Sequence, residues 1–243
     1  MTARLFLCLA LCLGVLRPAV AQALPTVVID PGHGGPRDAG SDAAHDKSTS
    51  NNATSVTHRL LEKDLTLQLA RLIAARVNAG GTLRAVLTRD TDVNLDFARR
   101  AAVAADTHAV LWVSIHFNSD ESHRACGPRA VVQRQAINPN FDADKTFGLA
   151  LAGAVEGVSK KYRPQTPKAT WHDDHELHGQ WGSYLFYQLN QNPATRGIPA
   201  CHLEVEFLDN PGLEQMFFVD RRDEVFAAWA DAVARELERA ASR

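Results

Sequence analysis

The sequence predicts a single α/β domain of three layers, α/β/α, in which a mostly parallel sheet is flanked by helices. Short β-branched or continuously apolar runs alternate with longer segments of helical periodicity, a pattern typical of buried parallel strands and their crossover helices. The 243 residues are 45% hydrophobic and 22% charged, which is enough for one sizeable core. No internal repeat or second domain is visible, and we expect the domain to span residues 25–241.

The elements follow from these patterns in chain order. The first predicted helix carries a stripe of leucines, and the last carries Val225, Trp229, Val233 and Leu237 at steps of four. Strands are expected at 26–30, 83–88, 109–116, 129–133 and 200–207, and helices near 61–78, 96–105, 143–161 and 222–240.

Two stretches break the alternation. Residues 38–58 are rich in Ser, Thr, Asn and Asp and predict a solvated loop. Residues 162–198 predict an irregular insertion, and long irregular segments are more often functional or mobile than idle. A His-acid run lies within it, and we favour a solvated run over a second metal site there. The run's members are His172, Asp173, Asp174, His175, Glu176 and His178.

The amino terminus predicts an exported protein. Arg4 precedes an apolar run over 5–16, and Ala19-Val20-Ala21 follows as a small-residue cleavage pattern. Residues 1–21 therefore predict a signal peptide. An uncleaved anchor is the competing interpretation, but the run is short for a span of roughly 20 residues. We expect cleavage, no stable membrane anchor afterwards, and a location in the periplasm or cell envelope.

Cleavage would remove Arg4 and Arg17 but no acidic residue, so the formal net charge would change from −2 to −4. Such a charge does not favour nucleic acid as a partner. Cys126 and Cys201 would remain, either as a disulfide or as two buried thiols. Cys201 lies three residues before Glu204 on one predicted strand, so their side chains should point to opposite faces.

Chemistry-bearing side chains stand at the ends of three apolar runs. His33 follows the first strand in a glycine-rich turn, His116 ends the third predicted strand, and Glu204 lies in the last. Because the carboxyl ends of parallel strands border one crevice, these side chains should meet. Glu62 is added by the first turn of the first helix.

Each signal is weak alone. A glycine-rich turn can cradle phosphate, but Pro36-Arg37 stands where a P-loop needs Lys-Ser/Thr. A lone histidine at the position of His116 is more often structural, and Glu62 could simply favour the helix dipole. Together, two His and one Glu match the ligands of a hydrolytic zinc with an open fourth position. A further carboxylate must move the water proton, and Glu204 is the candidate.

Five stretches, in this order, resemble the zinc-dependent N-acetylmuramoyl-L-alanine amidases, bacterial cell-wall enzymes that begin with DPGHGG. They cover nearly the whole chain after the signal region, and their order is more specific than any one of them. The stretches are Asp30-Pro31-Gly32-His33-Gly34-Gly35; Glu62-Lys63-Asp64; Thr88-Arg89-Asp90-Thr91-Asp92; Ser114-Ile115-His116-Phe117-Asn118; and Ile198-Pro199-Ala200 running into Glu204-Val205-Glu206-Phe207-Leu208-Asp209-Asn210.

The resemblance implies one Zn²⁺ per chain held by His33, Glu62 and His116, with Glu204 as the catalytic carboxylate. The implied substrate is peptidoglycan, at the amide between N-acetylmuramic acid and the first L-alanine of the stem peptide. The implied fold is a mixed or mostly parallel sheet between helices. In some relatives an inserted helix covers the zinc until a partner displaces it, so residues 162–198 could either cover the site or form its wall, and a protein activator is one partner to consider.

This sequence departs from the family at two positions near Glu204. Glu206 stands where the family usually has Gly, and His202 replaces a typically apolar residue. For His202 we weigh exposure and a supporting role beside the metal equally, and for Glu206 we favour exposure. Asn118 and His202 are candidates for substrate binding or for supporting the metal ligands. Two other functions stay open: a zinc peptidase acting on stem peptides, and a catalytically silent peptidoglycan-binding regulator.

Overall fold

The computed structural model describes residues 23–36, 47–178 and 182–243. The predicted signal peptide at 1–21 lies outside these residues. Six strands form one sheet in the order β2-β1-β3-β6-β4-β5. The strands are β1 Thr26–Pro31, β2 Arg84–Leu87, β3 Ala109–Asn118, β4 Arg129–Val132, β5 Thr170–Asp173 and β6 Ala200–Phe207.

The sheet is mostly parallel, as predicted. β2, β1, β3 and β6 run parallel, β4 pairs antiparallel with β6, and β5 runs parallel to β4. The carboxyl ends of β1, β3 and β6, the three central parallel strands, therefore meet at one edge of the sheet.

Helices cover both faces and complete the predicted three layers. One large core contains apolar side chains of α1, α3 and α7, and a smaller core on the other face contains those of α2 and α5. None of the described helices is both long and apolar enough to span a bilayer. The helices are α1 Glu62–Gly80, α2 Phe97–Asp106, α3 Phe141–Tyr162, α4 Asp174–His178, α5 Tyr184–Gln191, α6 Pro211–Leu213, a π-helix Glu214–Asp220 and α7 Arg222–Ala241.

The prediction of an irregular insertion over 162–198 was wrong. This segment contributes β5, α4 and α5. β5 reads Thr-Trp-His-Asp and lacks an apolar alternation because it is the last strand of the sheet, and edge strands tolerate polar residues. α5 is short, but Leu185, Phe186 and Leu189 are buried in the smaller core, so the segment belongs to the domain.

The described part of the predicted solvated loop is largely structural. Residues 37–46 lie outside the described chain, but Ser50, Ala53 and Ser55 are buried. Composition alone suggested solvent exposure. The structure instead uses the backbone of this segment to bind the side chains of the candidate site.

The two cysteines are free thiols, so of the two options the disulfide is not formed. Cys201 is buried and Cys126 is partly exposed. Cys201 lies in the larger core beside Gly148 of α3, whereas Glu204 lines a cavity on the other side of the sheet. Their predicted placement on opposite faces is confirmed.

Glu206 is buried, which contradicts its predicted exposure. His116 pairs with Glu204, but Asn118, two residues on, pairs with Phe207, three residues on. The extra residue is a β-bulge that breaks the alternation and takes Glu206 out of the cleft. Its Oε1 accepts hydrogen bonds from the backbone N–H groups of Gly127 (2.5 Å) and Phe207 (3.0 Å).

Glu206 should make stability depend on pH. Burial raises the pKa of this carboxyl from 4.5 to about 7. Since the folded chain prefers the neutral acid, stability should fall as the pH rises from about 4.5 through 7. At pH 8 we expect the free energy of unfolding of Glu206→Gln to exceed that of the wild type by about 1–3 kcal/mol, and near pH 4 we expect the two values to be equal. Urea denaturation at both pH values is the measurement. The exposed Glu121→Gln is the control, and equal urea midpoints for wild type and Glu206→Gln at pH 8 would contradict this.

Candidate metal centre

The turn after β1 presents His33 in a strained but well-held conformation. His33 has φ of 59° and Gly34 has φ of 127°, so the chain reverses sharply here. The His33 Nδ1–H donates to the carbonyl oxygen of Thr49 at 2.9 Å. In the neutral imidazole this bond leaves the Nε2 lone pair free to bind a metal, and Nε2 faces the Glu62 Oε2 at 3.3 Å.

Gly32 allows the second imidazole to approach. A Cβ built on Gly32 would lie 2.3 Å from Cε1 of His116, so only glycine leaves room for the ring. The second glycine of the motif is crowded too, because a Cβ on Gly34 would lie 2.2 Å from the carbonyl oxygen of Val93. The glycines of the predicted motif are therefore required by close packing as well as by backbone angle.

A buried ion pair anchors this turn. The Asp30 carboxylate accepts hydrogen bonds from Arg100 Nη1 (2.6 Å), Thr88 Oγ1 (2.5 Å) and Ser114 Oγ (2.7 Å). Burial alone would raise the pKa of Asp30, but the Arg100 charge and these hydrogen bonds lower it below its usual range.

Two arginines hold the carbonyl oxygens of the turn. Arg89 donates to Pro31 (3.0 Å) and Gly32 (2.8 Å), and Arg100 donates to Pro31 (2.9 Å) and His33 (2.8 Å). Both guanidinium groups are buried. Sequence reasoning missed Arg100, because a single arginine in an amphipathic helix carries no signal of burial.

Glu62 begins α1 and reaches between the two histidines. Its Oε2 accepts the backbone N–H of Ala53 (2.7 Å) and its Oε1 that of Phe117 (3.1 Å). Burial opposes ionisation, but the neighbouring imidazoles of His33 and His116 lower the pKa of Glu62 far below its usual range. The carboxylate is thus charged and almost fully buried.

His116 completes the group. Its Nδ1 lies 3.1 Å from Glu62 Oε1, and its Nε2 lies 3.1 Å from Ser114 Oγ, which donates onward to Asp30. Ser114 Oγ therefore accepts a hydrogen bond from the His116 Nε2–H, which leaves the Nδ1 lone pair directed at Glu62. Burial lowers the pKa of His116, which favours the neutral imidazole that binds metals.

One ligand atom from each of His33, Glu62 and His116 lies within 4.8 Å of the other two. Ligands of one zinc-sized ion lie about 2.0–2.2 Å from it, so this spacing fits a single ion. Two imidazoles and one carboxylate also leave a coordination position free. The chemistry and spacing of these residues fit the metal site that the sequence predicted.

Glu204 faces the same cavity. The cavity has a volume of about 280 Å³ and is lined by all three ligand candidates and by Glu204. Glu204 Oε2 is buried and has no hydrogen-bond partner in the described part of the chain. Burial and the charge of Glu62 raise the pKa of Glu204 to about 8, although Arg129 opposes the shift.

His202 is buried rather than exposed. Its ring stacks on that of His116, with centroids 5.1 Å apart and planes inclined by 20°. Phe186 contacts its ring at 4.6 Å, and Ser183 Oγ lies 3.4 Å from Nε2. Of the two interpretations weighed for this residue, exposure was wrong, because the unpredicted helix α5 covers it.

Asn118 lines the cavity beside Glu204. Its Oδ1 accepts the backbone N–H of Ser119 at 2.8 Å. Its Nδ2 is buried and donates to no group within residues 23–36, 47–178 and 182–243. The amide therefore has a free donor at the cavity wall, and a role in binding substrate stays a prediction.

The His-acid run lies apart from this centre. His172 Nδ1 contacts Glu176 Oε2 at 2.6 Å on the surface, and the buried Asp174 accepts backbone N–H groups of Arg134 (3.0 Å) and Ser183 (2.8 Å). The side chain of His178 lies outside the described residues.

Comparison with known proteins places these features in context. A family model described as N-acetylmuramoyl-L-alanine amidase matches residues 27–235. The chain is 27% identical over 144 residues to the N-acetylmuramoyl-L-alanine amidase AmiC of Escherichia coli, covering 59% of this chain and 27% of that protein. It is 29% identical over 199 residues to the germination-specific amidase of Bacillus subtilis, covering 76% of this chain and 68% of that protein. It thus spans about a quarter of AmiC, and 16% of the B. subtilis amidase LytC.

Solved structures share the fold. The amidase Ami1 of Mycobacterium smegmatis superposes with a TM-score of 0.66 at 18% identity, covering 90% of this chain and 97% of that one. The amidase AmiC2 of Nostoc punctiforme superposes with a TM-score of 0.60 at 23% identity, covering 90% and 98%.

Gly32→Ala should weaken metal binding without unfolding the chain. The new methyl carbon would lie 2.3 Å from Cε1 of His116. The His116 ring would therefore have to move from its position beside Glu62. We expect affinity for a divalent metal, measured by calorimetry on metal-free protein, to fall at least about tenfold. Gly157→Ala in α3 is the matched control, because its Cβ meets nothing within 4 Å. Unchanged affinity in Gly32→Ala would show that the His116 position does not matter for the metal.

Proposed function

Because the chain belongs to the N-acetylmuramoyl-L-alanine amidase family, we propose that it hydrolyses the amide bond between N-acetylmuramic acid and the L-alanine of the stem peptide in peptidoglycan. One observation carries this proposal. His33, Glu62 and His116 converge within 4.8 Å on the wall of a cavity that Glu204 also lines. Ligands and a proton-transfer group together are what metal-assisted amide hydrolysis needs.

The metal is proposed to be one Zn²⁺ per chain, held by His33, Glu62 and His116. Two imidazoles and a carboxylate are typical ligands of zinc hydrolases. When bound, zinc makes a water molecule more acidic and polarises the substrate carbonyl. Thr49 and Ser114 fix the orientations of the two imidazoles, so the ligands are preorganised before the ion arrives.

Glu204 supplies the proton transfer in this proposal. It accepts a proton from the attacking water and delivers it to the departing amine nitrogen of L-alanine. Burial and the charge of Glu62 raise its pKa in the metal-free site, and a bound cation would lower it again, which would leave the carboxylate able to accept the proton. In this proposal Asn118 Nδ2, a free donor at the cavity wall, binds a substrate oxygen, and His202 holds the ring of His116 by stacking.

The cellular setting is part of the proposal. A cleaved signal peptide at residues 1–21 would deliver the enzyme to the periplasm or cell envelope, where peptidoglycan lies. A protein activator is also proposed. The CwlD amidase of Clostridioides difficile, which shares the fold at 18% identity with a TM-score of 0.59, was solved in complex with the GerS lipoprotein.

Digestion of purified sacculi should release intact stem peptides and leave glycan chains whose N-acetylmuramic acid residues carry a free lactyl carboxyl group. Chelation of the metal should abolish release, and added Zn²⁺ should restore it, because the metal makes the attacking water more acidic. Mass analysis of the products is the measurement. Cleavage between amino acids of the stem would indicate a peptidase instead, and binding without any product would indicate a silent regulator.

Glu204→Gln should separate metal binding from catalysis. The amide keeps the size of the side chain but cannot accept the proton, so kcat should fall by about 10²–10⁴. Metal content, measured by mass spectrometry, should stay at the wild-type value because Glu204 is not among the proposed ligands. A Glu204→Gln variant with wild-type kcat would rule out this role.

A further inference from the structure

Three aromatic side chains run from the cavity to the surface. Phe97 and Tyr184 line the cavity, and Tyr187 follows on the outside. The ring centroids of Phe97 and Tyr184 are 6.4 Å apart, and those of Tyr184 and Tyr187 are 5.3 Å apart. We call Phe97, Tyr184 and Tyr187 the aromatic strip. It is continuous with the candidate site rather than a separate patch.

Phe97 packs against the smaller core, but core packing does not explain the two tyrosines of the strip. On α5, Leu185, Phe186 and Leu189 are buried in the smaller core, whereas Tyr187 is 45% exposed. Tyr184 and Tyr187 are three residues apart and so share a second face of the helix. Exposed aromatic rings beside a cavity are typical of ligand binding.

The chemistry of the strip suits sugar rings. A pyranose has apolar C–H faces and a rim of hydroxyl groups, and tyrosine offers a flat apolar ring with a polar hydroxyl at its edge. No residue of the strip carries a charge. Another part of the cavity lining is polar and comes from the segment that contains Lys47, Ser48, Thr49 and Asn52. A stem peptide bears carboxylates and amide groups, which match that polar wall better.

We propose that the aromatic strip binds the glycan chain of the substrate, so that sugars beyond the muramic acid stack along Tyr184 and Tyr187. This inference rests on the proposed amidase function. Binding of sugars along the aromatic strip makes the enzyme prefer stem peptides that are still attached to a glycan of several sugars.

The test compares two substrates that differ only in glycan length. One is a soluble glycan chain bearing uncross-linked stem peptides, and the other is N-acetylmuramic acid alone with the same peptide. Tyr187→Ala should lower kcat/KM on the glycan chain about five- to tenfold, the range expected for one aromatic contact. The loss on the single-sugar substrate should be several-fold smaller, and Tyr187→Phe should retain most of the activity.

Ile137→Ala is the control, since Ile137 is also an exposed apolar residue (48%) and is not part of the cavity lining. It should leave both rates unchanged. Equal losses on the two substrates, or no loss in Tyr187→Ala, would overturn the inference. A circular dichroism melting curve should show that Tyr187→Ala remains folded.

Binding of an N-acetylglucosamine tetramer, measured by calorimetry, separates this inference from the proposed function. If the wild type binds the tetramer, Tyr187→Ala does not, and neither cleaves an amide, then the strip is supported and the amidase function fails. If the wild type cleaves the amide but Tyr187→Ala binds the tetramer as well as the wild type, then the function stands and the strip is refuted.

Discussion

A charged carboxylate buried between two imidazoles is the constraint on which the candidate site depends. Glu62 lies within 3.3 Å of His33 and 3.1 Å of His116. A buried charge is costly unless it is compensated, and the two imidazoles with two backbone N–H groups compensate it only in part. A divalent cation between the three side chains would complete the compensation. The buried charge of Glu62 destabilises the folded chain without an ion, and the same charge favours the binding of a cation between these three side chains.

Buried side chains at the ends of β1 and β3 hold this arrangement in place. The buried pair of Asp30 and Arg100 fixes the turn that carries His33, and Ser114 transmits the position of Asp30 to His116. Asp30 of β1 pairs with Ser114 of the adjacent strand β3. The Asp30 carboxylate can therefore position groups on both strands. Glu204 then enters opposite His116 on the next strand. The site is therefore a property of three neighbouring strand ends and one helix start.

Much of this could be predicted from the sequence, because the informative residues end apolar runs. His33, His116 and Glu204 stand at such ends, where parallel topology brings them together, and Glu62 stands at the start of a helix that the leucine stripe predicts. The direction of β4, the polar edge strand β5 and the short helix α5 could not be read from periodicity.

The errors at single residues have the same origin. Glu206 was misplaced because a bulge changes the face of a strand without changing its composition, and His202 because α5 covers it. The burial of Ser50, Ala53 and Ser55 was missed because a polar segment can be ordered by the groups it binds, as Thr49 and Ala53 are.

The most direct test of the account is a crystal structure of zinc-soaked protein with anomalous data collected at the zinc absorption edge. We expect one strong peak per chain at about 2 Å from His33 Nε2, a Glu62 oxygen and His116 Nδ1. The absence of a peak there, or a peak only at another place such as the His172–Glu176 pair, would contradict it.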